Sequence, residues 1–140
     1  MTLAWKEASS IGEAEINSGV LFPALKLQGE LKDMELLACF WMKGLMEVRY
    51  ENSRDDQLIL RKTTRKTEHL SGDYSSYPET FDLACRDVIL HCKGTRARIS
   101  CAEFDPFGCS VSILMNPGMP GNGLTEEDLL RTAEAFLPRL

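Results

Sequence analysis

The sequence predicts an α+β domain: a curved antiparallel sheet of about six to seven strands in hairpins, a short N-terminal helix, and a C-terminal helix packed on the sheet. Three observations predict it. Two strand-like segments, the apolar run Leu36 to Met42 and the mixed run Leu45 to Glu51, flank Lys43-Gly44, a plausible two-residue hairpin turn. A second pair of such segments flanks Gly94-Thr95, with glycine where a type II′ turn wants it. Near the C-terminus, Leu129, Leu130, Ala133, Phe136 and Leu137 form one apolar stripe at helical spacing.

The elements follow in chain order. Ser10-Ile11-Gly12-Glu13 has the spacing of a capping box and predicts a short helix from Ile11 to Ser18, closed by Gly19 in the left-handed conformation. Pro23 blocks its continuation, and Ala24 to Gln28 reads as an opening strand. Leu36 to Met42 and Leu45 to Glu51 are the first hairpin. Pairing Met42 with Leu45 sets Trp41 opposite Met46, Cys39 opposite Val48 and Leu37 opposite Tyr50, all on one face. Glu47 and Arg49 then fall on the other face beside Ala38 and Phe40. A third strand spans Gln57 to Lys66 after the polar loop Asn52 to Asp56, and a turn-rich loop from His69 to Pro78 follows.

In the second half, Val88 to Lys93 and Arg96 to Glu103 pair around Gly94-Thr95. This register sets Cys92 against Ala97, Leu90 against Ile99 and Val88 against Cys101. A last strand, Cys109 to Met115, continues the face if Cys101 opposes Val111 and Ile99 opposes Ile113. Asn116 to Gly123 is a loop of prolines and glycines. Thr125 caps the final helix, whose first turn Glu126-Glu127-Asp128 suits the helix dipole.

Composition narrows the function classes. The length of 140 residues is that of one domain, 1–140, able to bury a core. A net charge of −5 gives no general attraction for nucleic acid or anionic lipid. The first residues lack the basic start and apolar run of a signal peptide, so a cytoplasmic protein is expected. An odd set of cysteines (Cys39, Cys85, Cys92, Cys101, Cys109) without a Cys-x-x-Cys pair reads as reduced thiols in the core, with Cys92, Cys101 and Cys109 on its face. His69 and His91 complete no metal set with them, and neither a metal nor another cofactor is expected. The basic run Arg61 to Lys66 alternates between faces and lacks interleaved aromatics, so it reads as a solvated strand end.

Met46-Glu47-Val48-Arg49-Tyr50, Leu58-Ile59-Leu60-Arg61-Lys62, the loop LSGDYSSY from Leu70 to Tyr77, and the helix LTEEDLLRTAEAFL occur here in that order. Together they resemble an uncharacterised family of small bacterial α+β domains with a Ser-Gly-Asp-Tyr loop, over roughly residues 20–137. Similar domains occur alone or as the C-terminal part of membrane-anchored, regulator-like proteins. The resemblance implies the fold and no established activity. The sequence departs from the family at Gly108-Cys109-Ser110, where relatives tend to have a glycine followed by an aromatic.

No catalytic constellation emerges. His69, Ser71 and Asp73 alternate along one loop, an arrangement that rarely converges around an oxyanion hole. The candidate binding residues are Ser71, Asp73, Tyr74 and Tyr77, together with Phe40, which shares a second, partly apolar face with Ala38 and Leu36. The expectation is a non-enzymatic interaction or regulatory module that meets a protein partner, or a second copy, through a sheet face or edge. The alternative is a ligand- or lipid-binding module with an apolar cavity between sheet and helix, walled by Met42, Met46, Met115 and Met119.

Overall fold

A computed structural model describes residues 5–119 and 121–138 of the chain. Residues 1–4 of the leader reading and Pro120 of the predicted loop lie outside the described residues. The architecture is α+β, an antiparallel sheet with two helices. The sheet has eight strands rather than six or seven, and it is not clearly curved. They are β1 (Lys6–Ala8), β2 (Glu35–Met42), β3 (Leu45–Glu51), β4 (Gln57–Thr63), β5 (Glu79–Cys85), β6 (Val88–Gly94), β7 (Ile99–Phe104) and β8 (Val111–Met115). The helices are α1 (Ile11–Ser18) and α2 (Glu126–Glu134).

Two strands, β1 and β5, carry no pattern of their own in the sequence, and the strand expected at 24–28 is absent. β1 is three residues long, too short to show alternation. β5 follows a loop of turn residues that masks where pairing resumes. Residues 24–28 form no strand; Leu25 and Leu27 pack on the core instead. β4 stops at Thr63, short of Lys66, because Thr63 Oγ1 turns back to the Arg65 carbonyl at 2.5 Å.

The helices form where their caps put them. Ser10 Oγ accepts from the Glu13 amide at 3.1 Å, and Gly19 closes α1 at φ 79°. The Glu13 carboxylate reaches back one residue farther than a capping box requires, to the Ser9 amide and hydroxyl. Thr125 caps α2 at Asp128. α2 ends at Glu134, yet Phe136 and Leu137 remain buried beyond it, so the apolar stripe outlasts the helix.

Strand order is β1-β2-β3-β4-β8-β7-β6-β5. It is two four-stranded meanders joined at β4–β8. One row of directly opposed residues crosses the whole sheet on the helix side: Ala8, Cys39, Val48, Leu60, Ile113, Ala102, Cys92 and Phe81. Ala14 of α1 and Leu129 and Ala133 of α2 close over this face in the same core. Each large side chain buried there contributes about 1.5–3 kcal/mol.

The first hairpin has the expected register from Met42–Leu45 to Cys39–Val48. It then shifts, because a bulge between Leu36 and Ala38 places Leu36, not Leu37, opposite Tyr50. The second hairpin departs more. Its turn is four residues long, Thr95 to Arg98, closed by mutual backbone bonds between its ends. Ile99 therefore opposes Gly94 rather than Leu90, and Cys92 opposes Ala102 rather than Ala97. The shift carries into β8, where Cys101 meets Leu114 and Ala102 meets Ile113, instead of Cys101–Val111 and Ile99–Ile113. Cys101 is consequently buried on the opposite face, in a small cluster with Ile59 and Leu114. Cys109 precedes β8 in a bend and is half-buried. No pair among the five thiols is bonded.

Candidate functional site

A second row of opposed residues crosses the sheet on the side away from the helices: Glu7, Phe40, Glu47, Arg61, Ser112, Glu103, His91 and Asp82. At its centre Glu47 is only 1% exposed. A carboxylate removed from water must be paired and hydrogen-bonded. Here Arg49 Nε donates to Oε2 and Arg61 Nε to Oε1, each at 2.6 Å. The Arg49 guanidinium stacks on Phe40 at 4.9 Å, and that of Arg61 faces Trp5 at 5.5 Å. The basic run is thus no solvated strand end at Arg61. Nothing in spacing alone marks Glu47 as buried; the signal was a glutamate and two arginines on neighbouring strands of one face.

The connection from β4 to β5 explains what covers this face. β4 lies in the middle of the sheet and β5 at its far edge, so the chain must cross β8, β7 and β6. Residues 64–78 make that crossing. Thr67 donates its amide to Ser110 Oγ at 2.7 Å, Arg61 Nη1 donates to the Leu70 and Ser71 carbonyls at 3.0 Å, and the Ser71 amide bonds Glu103 on β7. The Ser-Gly-Asp-Tyr loop is the middle of this strap.

The structure brings three of the predicted residues together and separates the other two. Ser71 and Asp73 are buried: Ser71 Oγ accepts from the Asp73 amide, and Asp73 Oδ1 accepts from the Ser75 amide. Tyr77 donates its hydroxyl to Asp73 Oδ2 and accepts from the Gly118 amide at 2.7 Å. Burial pushes the Asp73 carboxyl up, but the bonds from Tyr77 and Ser75 and the Lys93 charge hold it below its usual range. The Tyr77 phenol is pushed up to about 12, first by burial and then by its bond to Asp73. Tyr74, by contrast, is 77% exposed and leans on the exposed His69 ring. Phe40 lies at the other end of the face, half-buried beneath Arg49. His69, Ser71 and Asp73 do not converge: the Ser71 hydroxyl and the Asp73 carboxylate are both engaged within the loop. Among the described residues no group of three His, Cys, Asp or Glu side chains is placed to hold a metal ion.

The strap delivers the chain through Pro78 into β5, and here the two edges of the sheet differ. The β1 edge is short, and the stretch of β2 beyond it carries a bulge. Such features discourage further pairing. β5 is regular for seven residues, pairs with β6 throughout without a shift, and contains no proline, lysine or bulge. No backbone bond beyond those to β6 engages it among the described residues. Its Phe81 and Leu83 are half-buried toward the helices, while Thr80, Asp82 and Ala84 are exposed. His91 Nδ1 lies 2.9 Å from Asp82 Oδ1, and the Arg96 guanidinium stands 4.5 Å over the Phe81 ring.

The larger depressions are solvent-open grooves. One of about 580 Å³ runs between segment 23–28 and the end of α2, beside Arg86 and Arg131. Another, of about 490 Å³, is lined by Thr80, Asp82, His91 and Arg96 beside β5. Of the methionines expected to wall a cavity, Met46 and Met115 are buried in the core and Met119 is half exposed. No helix among the described residues is long and apolar enough to cross a membrane. The chain matches no protein-family model, no curated protein and no solved structure.

Proposed function

We propose that this protein is a non-enzymatic interaction module whose sheet edge at β5 receives a protein partner. The observation that carries the proposal is the contrast between edges: β5 offers seven regular residues without a bulge, whereas the opposite edge is short and bulged. Exposed strand edges pair readily with other chains, and proteins that do not use them blunt them. Glu47 is engaged by Arg49 and Arg61, and Asp73 by Tyr77, which suits a scaffold holding β5 in place rather than a reactive centre. The resemblance to domains attached to regulator-like proteins fits the same role.

The test is affinity capture from the native cell with wild-type protein and with Thr80→Lys/Ala84→Lys, which places two cations along the edge at exposed positions. A specific partner should be retained by the wild type and lost by the variant, with the thermal midpoint unchanged. Equal capture by a folded variant refutes the assignment of the edge.

A further inference from the structure

We infer that the occupant of the β5 edge is an extended segment of another protein, antiparallel to β5, with one basic residue opposite Asp82 flanked by apolar residues opposite Phe81 and Leu83. This rests on the reading of β5 as the partner-binding edge and adds the chemistry of the partner.

The side-chain pattern follows from strand geometry. Directly opposed residues on antiparallel strands point to the same face, and successive residues alternate. A strand added outside β5 sends every second side chain to the helix side, where Phe81 and Leu83 are only half-buried beside Leu130. Apolar residues at those two positions extend the core by one strand. The intervening residue extends the other row past His91 and Asp82. Asp82 is largely exposed there; His91 occupies Oδ1, and Oδ2 has no partner among the described residues. A lysine or arginine opposite completes that carboxylate.

Charge also fixes the register and disfavours self-pairing. β5 carries Glu79 and Asp82 and no cation of its own. Lys93 lies across from Thr80, Arg86 follows the strand's end, and Arg96 covers Phe81. The Arg96 amide also engages Glu79 Oε1 at the strand's first residue, so the attraction for a base in the middle of β5 centres on Asp82. A second copy paired over the full length of β5 would set Asp82 opposite Asp82, and like charges directly opposed are destabilising.

The probe is a capped peptide, Thr-Val-Thr-Val-Lys-Val-Thr-Val-Thr, added to isotope-labelled full-length protein and followed by amide chemical shifts. Saturable binding should move residues 79–85 most. Changing the central lysine of the peptide to glutamate should weaken binding roughly fivefold, the scale of a cross-strand charge pair. Asp82→Lys in the protein should reverse that preference. N-methylation of alternate peptide amides should abolish binding in one register and spare it in the other. Binding at the edge without a charge preference overturns the basic residue while leaving the edge intact. No shifts at residues 79–85 with any peptide overturns both. A dimer in sedimentation that Thr80→Lys/Ala84→Lys dissociates would make the second copy the occupant and overturn this assignment.

Discussion

Glu47 is the residue on which most of the unexpected chemistry turns. Its two oxygens are each held by a different arginine, and it is itself sealed from water. Glu47→Gln leaves both guanidiniums facing a neutral group and should cost about 3 kcal/mol in urea unfolding, the lower end for breaking a buried pair, since both arginines are partly solvated. A loss below 1 kcal/mol would mean that solvent already screens the pair. Asp73 and Tyr77 form the other coupled set, and each has a pH signature. The Asp73 carboxyl is depressed in the fold, so its stabilisation is present above the unfolded value near ~3.9 and lost as pH falls through the lower folded one. The Tyr77 phenol is raised, so its contribution is full below ~10 and lost as pH rises through about 12. Asp73→Asn should therefore flatten the acid limb of stability against pH, and Tyr77→Phe the alkaline limb. Unfolding curves across pH that leave both limbs unchanged would show that the strap is not anchored by this pair.

Among the elements, the second hairpin teaches the most. Its strands were visible in the sequence, but its register was not, because Gly94-Thr95 looks like a complete turn. The true turn runs from Thr95 to Arg98, and Gly94 remains in the strand at φ 138°. What holds Ile99 in this place comes from far along the chain: Ile99 and Leu124 exchange backbone bonds at 2.7 Å in each direction. Gly123 makes that approach possible, since a Cβ there would lie 2.3 Å from the Ile99 carbonyl carbon. Gly123→Ala should thus lower stability by about 1–3 kcal/mol, as overpacking against backbone does. A neutral effect on the unfolding midpoint would show that the bridge yields without loss. The first hairpin was legible because its turn really is two residues long and its register is unbroken from Met42 back to Ala38. α1 and the start of α2 were legible because their caps are local. β1, β5 and the burial of Glu47 were not, because each depends on a neighbour distant in sequence.

At the scale of the molecule, the sheet is two meanders whose junction, β4–β8, is made by the last strand of the chain. The fold class was predictable from local patterns; the junction was not, since any apolar strand could have occupied it. The strap follows from the same topology, for a chain that leaves β4 and resumes at the far edge must cross one face. That face is then covered near β7 and β8 by buried Ser71 and Asp73, and left half-open near Phe40. The order of strands also sets a timetable for synthesis. Until Val111 to Met115 leaves the ribosome, β4 and β7 are each an uncapped margin, and Leu60 waits for Ile113. Non-local pairing of this kind is slow, and nascent chains with open margins are prone to aggregate. A chain released before Val111 should scatter light on refolding where the 140-residue chain stays clear. The final strand is therefore the latch that joins two sticky halves into one sheet, whose longer regular margin is β5.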